Sequence, residues 1–124
     1  MEIRTEFGYY AQYLAVKWLK GRGYTILDEN FRRPWGEIDI VCRKNNVFTF
    51  IEVKANKKEY PGFEPELRVN PDKIQKIIRT AKTYLAYKKL PNDQEWGIDI
   101  ISITLIPERE VAKIRHYKNI DTQF

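Results

Sequence analysis

The stretch Gly36-Glu37-Ile38-Asp39-Ile40-Val41-Cys42-Arg43-Lys44-Asn45-Asn46-Val47-Phe48-Thr49-Phe50-Ile51-Glu52-Val53-Lys54 decides the fold. It holds two strand-like runs, each with charged residues two apart in otherwise apolar sequence. Between them sit two asparagines, a residue type that tolerates the positive φ of a two-residue hairpin turn. With Asn45-Asn46 as the loop, Lys44 pairs with Val47 and opposed residue numbers sum to a constant, so Asp39 faces Glu52 and Glu37 faces Lys54. Residues two apart share one face of a strand. The reading therefore predicts three carboxylates and an ammonium on one face of the hairpin. Ile38, Ile40, Cys42, Val47, Thr49, Ile51 and Val53 would form an almost entirely apolar opposite face.

Two carboxylates about 5 Å apart repel by roughly 3 kcal/mol at an effective dielectric near 20, so a cation belongs between them. Lys54 alone would give a cross-strand pair with Glu37 worth under about 1 kcal/mol if exposed. A hard divalent cation held by carboxylate oxygens would neutralise the cluster more strongly. A charged pair on a strand is ordinarily a solvated face. Here two such pairs are brought together by the hairpin register, and that conjunction points to a site.

Working outward, Ala11, Leu14, Ala15, Trp18 and Leu19 recur at helical spacing and predict a helix over roughly Thr5 to Lys20, ended by Gly21 and Gly23. Gln12 falls at the margin of its buried stripe. Tyr24 to Phe31 reads as a strand, and Arg33-Pro34-Trp35-Gly36 turns the chain into the hairpin of 37–43 and 47–55. Asn56 to Asn70, with Pro61, Gly62 and Pro65, reads as a long loop. It is placed either to close over a bound ligand or to serve as a plain connector. Asn70 caps a second helix with Pro71 at its first position, and Ile74, Ile77, Ile78, Ala81, Tyr84 and Leu85 form its apolar stripe. Trp96 to Thr104 and Val111 to Tyr117 close the chain as strands separated by Pro107-Glu108-Arg109. The order α-β-β-β-α-β-β predicts an α/β fold, a mixed central sheet flanked by helices.

The chain of 124 residues has room for a single domain, 1–124. No apolar run approaches the roughly 20 residues that span a bilayer, and the first residues lack the apolar core of a signal peptide, so the expected location is the cytoplasm, with no membrane partner. One cysteine and one histidine exclude a disulfide framework and the usual Cys/His zinc sites within one chain. Cys42 reads as a packed thiol, and His116 has no nucleophile marked beside it. Asp99, between Ile98 and Ile100, reads as structural. A net charge of +5 favours a polyanionic partner. Arg32, Arg33, Lys57, Lys58, Lys73, Lys76 and Arg79 surround the acidic hairpin as candidate phosphate contacts.

Asp39, a spacer of twelve residues, then Glu52-Val53-Lys54 resembles the PD-(D/E)-x-K signature of restriction-endonuclease-like nucleases, which include archaeal Holliday-junction resolvases. More specifically, Gly23-Tyr24-Thr25-Ile26-Leu27, Asn30, Arg32, Gly36-Glu37-Ile38-Asp39-Ile40-Val41 and Phe50-Ile51-Glu52-Val53-Lys54 resemble the YraN-like family, uncharacterised proteins regarded as endonucleases. Lys73, Ala81, Tyr84-Leu85 and Ile98-Asp99-Ile100-Ile101 extend the similarity over almost the whole chain. The resemblance implies a restriction-endonuclease-like core in a single nuclease-like domain and hydrolysis of phosphodiester bonds in DNA, including branched or repair intermediates. It implies Mg²⁺ or Mn²⁺ held by Asp39, Glu52 and the Val53 carbonyl, with Lys54 orienting water and stabilising the phosphoryl oxygens. Glu37 would tune Lys54 or hold a second cation.

The family's first helix usually carries G-E-x-x-A, where this chain has Ala11-Gln12. In related nucleases that carboxylate helps set the metal site, whereas the amide of Gln12 offers oxygen without charge, so the resemblance implies weaker metal binding here. Two other readings stay open: a nucleic-acid-binding module without turnover, and a structural or partner-binding domain with a salt-bridged hairpin. DNA against RNA, and monomer against homodimer, are likewise open.

Overall fold

The computed structural model describes residues 6–57, 70–106 and 111–120. Its elements are α1 (Glu6–Gly21), β1 (Thr25–Arg33), β2 (Gly36–Lys44), β3 (Val47–Lys57), α2 (Pro71–Tyr87), β4 (Trp96–Ile106) and β5 (Val111–Tyr117). This is the order read from the sequence. The hairpin turn is as expected: Asn45 and Asn46 take φ of 52° and 63°, and Lys44 pairs with Val47. Helix α1 ends where Gly23, at φ 88°, lets Tyr24 N–H return to the Leu19 carbonyl and Gly23 N–H to that of Lys20, which satisfies two terminal carbonyls. At the start of α2 the Asn70 side chain accepts from the N–H groups of Asp72 and Lys73. Strands β3 and β4 run slightly past their expected ends. The loop read over Asn56 to Asn70, together with Thr5 and Pro107-Glu108-Arg109, lies largely or wholly outside the described residues.

The five strands lie in sequence order, β1-β2-β3-β4-β5; β3 and β4 are parallel and the other neighbours antiparallel. A parallel pair needs a crossover, and α2 supplies it. Both faces of the sheet are thereby covered. Ile38, Val41, Phe48, Phe50 and Ile98 pack with Ile74, Ile77, Ala81 and Tyr84 of α2. Ile40, Cys42, Ile51, Ile101 and Ile103 pack with Ala11, Ala15 and Leu19 of α1.

This corrects the expected division of the hairpin into one apolar and one charged face. Val41, Phe48 and Phe50, on what was read as the charged face, are buried under α2, and Ile38 joins them rather than Ile40. Two residues that should share a face are split because the strand alternation changes phase between them. The β1–β2 ladder pairs Glu29 with Ile40 and Phe31 with Ile38, and it passes over Asn30 and Asp39. Asn30 there adopts φ 55°, a left-handed conformation that asparagine tolerates better than most residues.

Helix α2 approaches β2 closely at Gly36. A Cβ there would lie 2.9 Å from Thr80 Oγ1 and 3.4 Å from the Lys76 carbonyl oxygen. Thr80 cannot easily yield, since it is fully buried and its hydroxyl donates to that same carbonyl at 2.7 Å. Gly36→Ala is therefore expected to destabilise the fold by about 1–3 kcal/mol through overpacking. Gly21→Ala, at a helix end with nothing within 4 Å, should be neutral or slightly stabilising. Urea denaturation of the two variants checks this; equal stability would show that α2 shifts freely over β2.

Candidate active site

The backbone ladder between β2 and β3 runs from Lys44–Val47 to Ile40–Ile51. At the next position the Asp39 carboxylate takes over: its Oδ2 accepts the Val53 N–H at 2.8 Å. The N–H and C=O of one strand residue face the same neighbouring strand, so the Val53 carbonyl opens on that same gap. Glu52 alternates with Phe50 onto the α2 side of β3, where it is 7% exposed. A carboxylate so buried requires a partner. It has one in the ammonium of Lys73, two residues into α2. Lys54 follows on the same side as Glu52, half-buried.

Gln12, 4% exposed on α1, reaches the sheet as the helical wheel suggested. It does so by donating, with its amide nitrogen 3.1 Å from Glu29 Oε1 and 3.3 Å from the Asp39 carbonyl oxygen. Its contact with Asp39 is thus to the backbone. Glu37 ion-pairs with Arg32 across β1 and β2 at 3.2 Å, and the ladder expected to set it opposite Lys54 stops short of both residues. Asp39 and the Glu52–Lys54 segment are brought together; Gln12 reaches the Asp39 backbone, and Gln12 and Glu37 are each tied to β1.

The basic residues are less uniform than their spacing implied. Arg33 stacks on Phe31 at 4.1 Å and Arg79 on Trp35 at 3.9 Å, while Lys57 lies 5.4 Å from the Phe7 ring. Trp35 is therefore covered by α2. Lys76 is exposed on α2, and Lys58 lies outside the described residues. Lys73, Lys76 and Arg79 lie on the helix where the sequence placed them, but the sequence did not show the neighbours of Lys73 and Arg79. The cap at Asn70 fixes the position of Lys73 in the first turn, but only the crossover brings that turn over Glu52.

Two polar pairs, the first of them buried, were not read from the sequence. Asp99 Oδ2 is 2.7 Å from His116 Nε2, and Asp99 Oδ1 accepts the Asn119 N–H at 2.9 Å, which ties Asn119 to β4. Tyr84, within the α2 core, donates its hydroxyl to Asp28 Oδ2 at 2.7 Å. A usable signal existed for the first pair: an acid in a strand covered on both faces needs a partner, and the chain has a single histidine.

Comparison with known proteins places these residues in a wider set. The model of an uncharacterised protein family, UPF0102, matches residues 11–103, the stretch that carries Gln12, Asp39, Glu52, Lys54 and Lys73. The chain is 40% identical over 115 residues to a UPF0102 protein of Fervidobacterium nodosum, covering 92% of this chain and 80% of that one. It is 38% identical over 118 residues to one of Clostridium beijerinckii, covering 95% and 94%. With one of Geotalea daltonii it shares 42% over 106 residues, 86% and 81% of the two chains.

Burial, with the Asp99 carboxylate as a second cause, pushes the Cys42 thiol up from 9.0 to about 12. Its Sγ donates to the Thr49 carbonyl at 3.5 Å, a contact that requires the proton. Burial likewise raises Tyr84, followed by its hydrogen bond to Asp28. An acid raised by folding ionises first in the unfolded chain. Its contribution is complete below the unfolded value and is lost as pH rises towards the folded one. Stability is accordingly expected to fall from pH 9 upward, by at most about 1.4 kcal/mol per pH unit for each such group. Cys42→Ala should flatten the fall between pH 9 and 10, measured by denaturation at successive pH values. A wild-type stability constant over that range would show that the thiol ionises in place.

Proposed function

We propose, from the premise that the chain belongs to the uncharacterised protein family UPF0102, that it is a metal-dependent phosphodiesterase acting on nucleic acid, DNA in the first instance, on a restriction-endonuclease-like core. The observation that carries this reading is the 2.8 Å hydrogen bond from Val53 N–H to Asp39. It fixes a carboxylate from β2 against the Glu52-Val53-Lys54 segment of β3, so that two acids, a backbone carbonyl and an ammonium share one rim of the sheet.

The donor set suits Mg²⁺ or Mn²⁺. Asp39 and Glu52 offer hard carboxylate oxygens, and the Val53 carbonyl faces the gap between their strands. Among the described residues no three acidic, imidazole or thiol groups form a ready cage. Mg²⁺ is commonly held by one or two carboxylates completed by water and substrate phosphate, so substrate and ion would complete the site together. When bound, the ion neutralises the diester and activates water for attack. Lys54 directs its ammonium at the charge that develops on the phosphoryl oxygens, a role that needs a preorganised donor. Gln12 holds the Asp39 backbone by donating its amide N–H to the Asp39 carbonyl. Arg32 holds Glu37 in an ion pair at 3.2 Å.

A second reading is a nucleic-acid-binding module without turnover, and one observation favours it: Gln12 is already satisfied by Glu29 and the Asp39 carbonyl, and it adds no charge where related nucleases place an acid. The two readings separate on labelled linear, flapped and four-way-junction DNA with Mg²⁺ and Mn²⁺. Asp39→Asn keeps an oxygen for the Val53 N–H and should leave the fold and most DNA affinity intact, as should Lys54→Ala. Each is expected to lower cleavage at least about 100-fold. Gln12→Glu sets a carboxylate against Glu29, so it should destabilise the metal-free protein and recover that stability with Mn²⁺. A wild type that cuts nothing with Mn²⁺, and a Gln12→Glu variant equally inert, would leave the binding module as the function.

A further inference from the structure

Beside the site, between α1 and β1, lies an open groove of about 180 Å³ lined by Tyr9, Gln12, Tyr13, Val16, Glu29 and Asn30. None of the residues proposed to act on a phosphate lines it except Gln12, whose amide also touches the Asp39 carbonyl. The groove therefore starts one side chain away from the candidate active site. Tyr9 and Tyr13 are 58% and 55% exposed, a large aromatic surface for a helix whose other face is fully packed. Tyr10 extends it, with its ring 22° from parallel to that of Tyr13 and centroids 6.4 Å apart.

We infer that this groove binds one unpaired nucleobase of a strand whose backbone passes the Asp39–Glu52 site. The inference rests on the nucleic-acid reading above and narrows its substrate to DNA with a single-stranded position. Five features select the occupant. Flat, exposed tyrosines stack on any base. The Glu29 carboxylate in its lining suits a ligand that presents an N–H, as base edges do. Glu29 repels phosphate, so the backbone stays outside the groove, where Lys17, with its ammonium 5.5 Å from the Tyr13 ring, attracts it. That same ammonium disfavours a cationic ligand, which the tyrosines could otherwise cage. The volume suits one base, since sites for drug-sized molecules run to roughly 300–1,000 Å³.

The test needs no turnover. Fluorescence anisotropy without metal compares a flapped DNA with a fully paired duplex of equal phosphate number, for the wild type, the Tyr9→Ala/Tyr13→Ala double variant, and Tyr87→Ala on α2 as an exposed-tyrosine control. The wild type should prefer the flapped DNA, and 2-aminopurine at the first unpaired position should lose fluorescence on binding. The double variant should lose roughly 5- to 150-fold on the flapped DNA, the range of one stacked base, and change little on the duplex. Tyr87→Ala should match the wild type on both. Equal losses on both DNAs, or none on either, overturn the groove while leaving the nuclease reading in place. Binding to neither DNA by the wild type overturns both.

Discussion

Strand β3 is covered on both faces, and that constraint organises the molecule. Phe48 and Phe50 lie under α2 while Ile51 and Val53 lie under α1, so neither helix can be removed without exposing part of the central strand. Parallel pairing with β4 follows from the same geometry, since the crossover helix is the cover. The acidic segment is simply the place where this strand leaves the two cores. Glu52 is still nearly buried and must be paired, Val53 is held by Asp39, and Lys54 is the first residue with access to solvent on that side. The candidate site is thus the rim of a packed interior, which restricts the motion of its groups.

Much of this was legible. The Asn45-Asn46 turn, the register of the hairpin and the capping of α2 by Asn70 are local properties, and local chemistry decides them. What escaped the sequence is what depends on contacts made through space. Alternation from Ile38 to Ile40 appears unbroken in the sequence. Only the left-handed Asn30 on the neighbouring strand reveals the change of phase. The pairing of Tyr84 with Asp28 spans 56 positions and leaves no periodic trace. Lys73 was found on its helix, but its partner Glu52 could be known only once that helix had crossed the sheet.

The positive charge of the chain is also ordered by packing. Guanidinium groups at Arg33 and Arg79 lie on the rings of Phe31 and Trp35, and Arg22 lies 3.0 Å from the Trp18 ring centroid. Stacking restricts a side chain that would otherwise sweep a wide volume, and Arg33 is further held by donating to the Arg32 carbonyl at 2.7 Å. A surface of this kind presents its charge from fixed positions. Lysines on flexible stems, such as the exposed Lys76, contribute a more diffuse attraction.

The sequence order of the strands has a consequence for biosynthesis. Strands β1, β2 and β3 form a meander of near neighbours, and its hairpin closes through two residues, so it can pair as soon as it is made. The cover over Val41, Phe48 and Phe50 arrives only with α2, and β4 comes later still. A chain growing from its N-terminus therefore passes through a stage in which the acidic hairpin exists with one oily face open. Until α2 forms, Glu52 also lacks the ammonium that neutralises it. The nascent protein is at that stage both sticky and locally anionic, and the arrival of a single helix ends both conditions at once.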